Sequence, residues 1–137
     1  MIVQFAILAQ SVTVDRFSDR LSIFNVYEQV AAPNFPIFVP ELSFVVLLRR
    51  TAEEPNAFDT VIRIRNGEAV IGQANMHVNF QGHLVHRSLS NFQGLPIFTP
   101  GEIELSFNLP DGQPVSARVP VLQLPTSVPM VQPGVRG

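Results

Sequence analysis

The chain has 137 residues, no cysteine, a formal net charge of −2, and 15% charged residues against 46% hydrophobic ones. That length suits one domain able to bury a core unaided, and the missing cysteine excludes disulfides, thiolate zinc sites and thiol nucleophiles. All nine cations are Arg, scattered except for Arg49–Arg50 and Arg63/Arg65, so there is no phosphate-tracking stripe and no nucleic-acid partner is expected.

From the N-terminus, residues 1–5 show neither the cationic start nor the cleavage pattern of a secretory signal. No uninterrupted apolar stretch approaches the ~20 residues of a membrane span. A cytoplasmic protein without a membrane partner is the expectation. Residues 3–9 are apolar on both faces, as in a strand covered on both sides or one whose outer side meets a partner. Asp15 to Arg20 reads as a loop. Residues 21–31 follow as one strand, with Phe24, Val26 and Val30 on one face and Leu21, Ile23 and Tyr27 on the other. Segment 33–40 sets Pro33, Pro36 and Pro40 among Phe35, Ile37, Phe38 and Val39, and lacks strand character. Residues 42–48 form a second strand apolar on both faces.

Downstream the period of two is plainer. Phe58, Thr60, Ile62 and Ile64 alternate with Asp59, Val61, Arg63 and Arg65, a half-buried strand. Asn66-Gly67 predicts a hairpin joining 58–65 to 68–80, because both central positions of such a turn need positive φ. Gln81-Gly82 reverses the chain between Phe80 and Leu84. In 84–94 the apolar positions change parity, Val85 and Leu89 against Leu84 and Phe92, which predicts a bulge or bend. Ile103, Leu105, Phe107 and Leu109 alternate with Glu102, Glu104, Ser106 and Asn108. Pro110-Asp111-Gly112 turns the chain, and Val115, Ala117, Val119 and Val121 continue the alternation. Pro120 has no amide to give a ladder and predicts an edge strand. Twelve prolines leave little room for a helix, and no window shows a 3.6-residue apolar stripe. The reading is all-β: a two-sheet antiparallel sandwich of seven or eight strands over residues 1–124. A Pro-containing tail, 125–137, is expected to be extended or mobile.

Three stretches resemble a bacterial domain-of-unknown-function family of small proteins. They are the run from Leu8 to Asp15, then Leu21-Ser22-Ile23-Phe24-Asn25-Val26-Tyr27-Glu28-Gln29-Val30, and Phe35-Pro36 ahead of Pro40-Glu41-Leu42. Such proteins begin with a short strand, a loop and a Leu-Ser-Leu-Phe-Gly-Val-Phe-like strand. The run Asn91-Phe92-Gln93-Gly94-Leu95, followed by Phe98 and Pro100-Gly101-Glu102, is similar to that family's second half. The resemblance reaches Leu124. It implies an immunoglobulin-like sandwich, with no known activity, cofactor or catalytic residue. Asn25 stands where glycine is common, a substitution that Asn tolerates in unusual backbone angles.

No catalytic constellation emerges. His77, His83 and His86 surround the 81–82 turn and offer a zinc or copper site with Glu68, the basis of an alternative reading as a metal-binding protein or metal-dependent hydrolase. Solvated histidines on an exposed hairpin are the plainer account, since no Asp or Glu lies between residues 69 and 101. Ser88 and Ser90 near His86 lack a nucleophile elbow and an acidic orienting residue. Glu102 and Glu104 read as a solvated stripe facing Arg63 and Arg65 rather than a glycosidase pair. Glu53, Glu54 and Asp59 fit no calcium loop. No dinucleotide or Walker pattern occurs. No enzyme, metal or cofactor is expected. A carbohydrate-binding reading meets zero Trp and a single Tyr.

Interaction surfaces are the better-motivated expectation. Phe35, Ile37, Phe38 and Val39 either dock into a partner or fold over the end of the sandwich and seal it, the second being favoured because monomers rarely expose large apolar patches. The edge strand at Pro120, with the tail, offers a second route by strand addition, against a frayed terminus. The function expected is a non-catalytic interaction module, with a second copy of itself or another protein as partner.

Overall fold

The computed structural model describes residues 1–125 and contains nine strands, with no helix among the described residues. They are β1 (Ile2–Val14), β2 (Leu21–Val26), β3 (Val30–Ala32), β4 (Ile37–Arg49), β5 (Ala57–Asn66), β6 (Ala69–Asn79), β7 (Val85–Ile97), β8 (Gly101–Asn108) and β9 (Pro114–Gln123). A front sheet has the order β2-β1-β4-β7, and a back sheet the order β3-β9-β8-β5-β6.

The period-two patterns dictate what lies between the sheets. Leu42, Phe44, Val46 and Leu48 of β4 meet Ile103, Leu105 and Phe107 of β8 and Val115, Val119 and Val121 of β9 in one buried cluster. Phe44 and Phe107 touch edge-on across the sheets, ring centroids 6.0 Å apart, an arrangement worth about 0.5–1.5 kcal/mol beyond area burial. Ile62 and Ile64 join from β5, so the alternation over 58–65, 102–109 and 115–121 falls as read.

Five features differ from the sequence reading. Residues 21–31 are two strands in different sheets. Asn25 takes φ 56° within β2, and Tyr27 closes the ladder by donating its N–H to the Leu8 carbonyl. The Tyr27 hydroxyl donates to the Glu41 carbonyl at 2.8 Å. The chain then crosses to the back sheet, where β3 pairs in parallel with residues 121–123 of β9. The sheets are therefore not wholly antiparallel, and the strands number nine.

Segment 37–40 is strand after all. Ile37 and Val39 turn inward and Phe38 outward, while the β4–β7 ladder passes from Val39–Leu95 to Glu41–Gln93 without using Pro40. A residue lacking an N–H is tolerated where no ladder bond is asked of it. Gly94, opposite, takes φ 65°.

The 84–94 parity change has a different cause from the bulge expected. From Val85 to Gln93 the register with β4 is unbroken. Ser88 and Ser90 face in, where both lie near the Met76 sulfur, Ser88 Oγ at 3.0 Å. Val85 and Leu89 face out.

The Asn66-Gly67 hairpin is present, but its loop is Gly67-Glu68 with Asn66 opposite Ala69. Gly67 alone supplies positive φ, 64°, at the first loop position, as a II′ turn requires. Asn66 instead is buried. Its side-chain oxygen accepts from the Phe98 and Thr99 amides at 2.8 and 2.9 Å, and its Nδ2 donates to the Thr99 and Glu102 carbonyls. It braces the crossing from β7 to β8.

Finally, β9 is an edge only in part: residues 114–120 pair with β8 alone, Val121 pairs with both β8 and β3, and residues 122–123 pair with β3. The predicted tail lies, from residue 126, outside the described residues.

Candidate interaction surface

The two sheets present unlike outer faces. On the back sheet the outward positions of the central strands are mostly polar, with Val61 and Val70 as exceptions: Arg63 lies opposite Ser106, Arg65 opposite Glu104, and Glu104 opposite Arg118. Glu104 holds Arg118 at 2.9 Å and Arg65 at 3.9 Å, while Glu102 faces Pro120. On the front sheet the outward positions are Phe5, Ile7 and Ala9 of β1, Val45 and Leu47 of β4, and Leu89 of β7. Val45 points away from the core cluster and is nevertheless 0% exposed. Something covers that face.

The cover is the β1–β2 hairpin. β1 pairs with β4 from Ile2–Arg49 to Ala9–Ser43, and beyond Ala9 it pairs only with β2. Ala9 is thus level with Ser43, and Arg87 level with Leu47, nearer the start of β1. Yet Asp19, at the tip of the hairpin, pairs with Arg87 at 3.2 Å, and the Asp19 carbonyl accepts from the same guanidinium. With the core side of the front sheet filled, the hairpin reaches Arg87 by leaving the sheet after Ala9 and doubling back across its outer face.

The tip is built by Asp15. Its carboxylate accepts from the Phe17 and Ser18 amides at 2.8 and 2.9 Å, and its backbone exchanges bonds with Asp19 and Arg20. This is the Asx geometry that Asp favours in turns. The backbone N–H groups of Ser18 and Phe17 hold the Asp15 carboxyl below its usual range. The braced loop presents Phe17 to solvent, 96% exposed. Between this tip and the 81–84 turn lies an open recess of about 570 Å³ lined by Asp19, Gln81, His83, Leu84, His86 and Arg87 among others.

A family model described as a family of unknown function (DUF6941) matches residues 4–122. The chain belongs to the DUF6941 family. No curated protein and no solved structure matches it. The match in DUF6941 takes in the stretches on which the resemblance to a domain-of-unknown-function family was read. Asn25, at the position where glycine is common in that resemblance, does take a left-handed angle.

Within this DUF6941 member the three histidines part company. His83 and His86 line the recess, while His77 lies on the back sheet with its Nδ1 at 2.7 Å from Asp59. Among the described residues no three His, Cys, Asp or Glu side chains gather as a metal-holding group, and the His77/His83/His86 set is not one site. His86 tilts against Phe80 with centroids 5.5 Å apart, and burial there lowers its pKa. Ser88 and Ser90 face Met76 rather than a base. Of the residues expected to meet a partner, Phe35, Ile37 and Val39 pack into or against the core. Phe38, 67% exposed, and Pro120 stand at the surface.

The residues that sequence reasoning missed are Phe17, Asp19 and Arg87. Asp15-Arg16-Phe17-Ser18 carried a local signal, an acidic side chain two and three residues ahead of amides it could accept from. Nothing local links Asp19 to Arg87 across 68 residues.

Proposed function

We propose that this DUF6941 member is a non-catalytic interaction module that self-associates, built on an immunoglobulin-like sandwich. The immunoglobulin-like reading is supported by the order β1-β4-β7 against β9-β8-β5-β6, which matches the ABE and GFC strands of that fold, with an added strand beside C. The parallel pairing of β3 with β9 fits a first strand that changes sheets. We place the protein in the bacterial cytoplasm, with the absence of cysteine as support.

The observation that carries the interaction reading is Phe17. A fully presented aromatic on a loop rigidified by Asp15 loses little entropy on docking, and aromatic anchors dominate protein interfaces. Phe24 and Val26 on the same hairpin, and Leu84 and Val85 beside the recess, are also exposed apolar residues, and such clustering marks contact surfaces.

Sedimentation velocity on the full chain tests it. The expected result is a concentration-dependent dimer that Phe17→Ser weakens about tenfold or more, the loss typical of an anchor residue, with an unchanged far-UV spectrum. A monomer at all concentrations up to the millimolar range overturns the reading.

A further inference from the structure

We propose that the β1–β2 hairpin is an exchangeable arm: two copies of the chain associate by each laying residues 10–25 across the outer face of the other's front sheet. This deepens the self-association reading, on which it rests, by naming the segment that passes between copies.

Three observations carry it. First, cover and covered face are almost separately held. The ladder tying the hairpin to the body stops at Ala9–Ser43, and its distal tie is the Asp19–Arg87 contact. What the hairpin does over Val45 and Leu47 can be done identically by the same segment of another copy, which is why exchange is an inexpensive route to a dimer. The occupant of the face is identified by what already sits on it.

Second, the fold-back has a hinge with a defined strain. Gln10 and Asn25 stand opposite each other where the ribbon leaves the sheet, their side chains hydrogen-bonded at 2.6 Å and solvent-exposed. Asn25 takes φ 56° inside an otherwise extended strand, an angle that most residues with a Cβ avoid and that Asn accepts more readily than they do. An arm reaching out to a second copy runs straight through this point and returns Asn25 to the extended region.

Third, the closed arm leaves apolar area unburied. Phe24 and Val26 flank the hinge residue and are 47% and 49% exposed. In an exchanged pair the two hinges run beside each other, so these side chains gain a neighbour that the closed chain cannot offer.

The chain's lack of cysteine gives a direct test. Asp19→Cys and Arg87→Cys are made in separate chains, mixed, unfolded and refolded together, and treated with a short bis-maleimide. Exchange predicts a covalent heterodimer carrying one copy of each variant, in proportion to the dimer seen by sedimentation. A chain carrying both substitutions, refolded dilute, cross-links within itself. If dimers sediment but only that internal link forms, association uses closed arms: exchange is overturned and self-association stands. If no dimer forms, both fall. The hinge gives an independent arm of the test. Asn25→Val, which disfavours the left-handed angle, tightens the dimer about tenfold, while Asn25→Gly, which accepts it, loosens the dimer. Equal or reversed shifts overturn the hinge assignment.

Discussion

The outer faces of the two sheets are built by the same backbone rule and come to opposite ends. Both alternate inward and outward residues at a period of two, and both give their inward set to the common core. The back sheet spends its outward set on Arg63, Arg65, Glu104, Ser106 and Arg118, which are content in water. The front sheet gives its own to Phe5, Ile7, Val45, Leu47 and Leu89, and a hairpin from its N-terminal half then hides Val45 completely while Leu89 stays 47% exposed. A sheet with one solvated face needs one partner layer. The front sheet needs two, and the second is only a two-stranded ribbon, a unit marginal by itself. The difference teaches which face depends on a thin second layer.

The largest effects separate the faces. Val45→Asp puts a carboxylate under the hairpin with no partner and is expected to cost several kcal/mol, enough to shift the chemical-denaturation midpoint markedly. Arg63→Ala, at an exposed outward position of the back sheet, is expected to stay within about 0.5 kcal/mol. Comparable losses at both sites, measured by urea unfolding, would mean that the front face is not covered as described. Next comes Asn66→Ala, which strands the Phe98 and Thr99 amides. Two unsatisfied donors at a part-buried site put the expected loss at about 2–4 kcal/mol. Because Asn66 sits where the chain passes from front to back sheet, its loss should loosen both faces together, visible as faster amide exchange at residues 97–101 and in the 66–69 turn.

Where sequence was legible, a single strand carried a single message. The alternation over 58–65, 102–109 and 115–121 needed only two environments, core and water, and those strands lie as read. The turns at 81–82 and 110–112 were equally local: Gln81, Gly82 and Gly112 supply the positive φ angles their turns require. Reading failed where an apolar side chain does not face the core. Val85 and Leu89 look misregistered only if every apolar residue is assumed to point inward; both point outward and are 47% exposed, so β7 needs no bulge and Ser88 can face in. The split of 21–31 was hidden for a related reason, since Asn25 and Tyr27 act through Gln10, Leu8 and Glu41, which local periodicity does not see. The three histidines shared a sequence neighbourhood but not a site, because the 80–84 turn carries the chain from β6 in the back sheet, which holds His77, to β7 in the front sheet, which holds His86.

Adjacent residues of β7 allow a smaller, pH-dependent version of the comparison. His86 points to the core side beside Phe80, and Arg87 to the covered outer side. Burial lowers the His86 pKa, so the unfolded chain binds its proton at a higher pH than the folded one does. Stability from this group is fully present above the unfolded value of about 6.5 and falls as pH drops below it towards the lowered folded value, the sign required when the unfolded state holds more protons. Melting temperatures between pH 7.5 and 5 should therefore decline, and His86→Phe should flatten that part of the decline. An identical slope in the variant would assign the pH response elsewhere.

The smallest expected change in stability is the most informative about mechanism. Asp19→Asn removes an exposed ion pair on the front face, and Glu104→Gln removes the half-buried carboxylate that pairs with both Arg118 and Arg65 on the back. Each is expected to alter global stability by no more than about 1 kcal/mol, as such pairs do. Their local consequences should differ. Glu104 sits within a ladder bonded on both sides, so its neighbours have no way to leave. Asp19 holds the far end of a ribbon whose ladder to the body ends at Ala9. Hydrogen exchange should therefore accelerate over residues 10–25 in Asp19→Asn, with β4 and β7 unchanged, and nowhere comparable in Glu104→Gln. A ribbon freed at its tip should also exchange between copies sooner, so the same variant should reach its dimer equilibrium faster after dilution. A hairpin that kept its protection without the Asp19 contact would be held by the apolar face alone, and the opening would then have to start at the hinge.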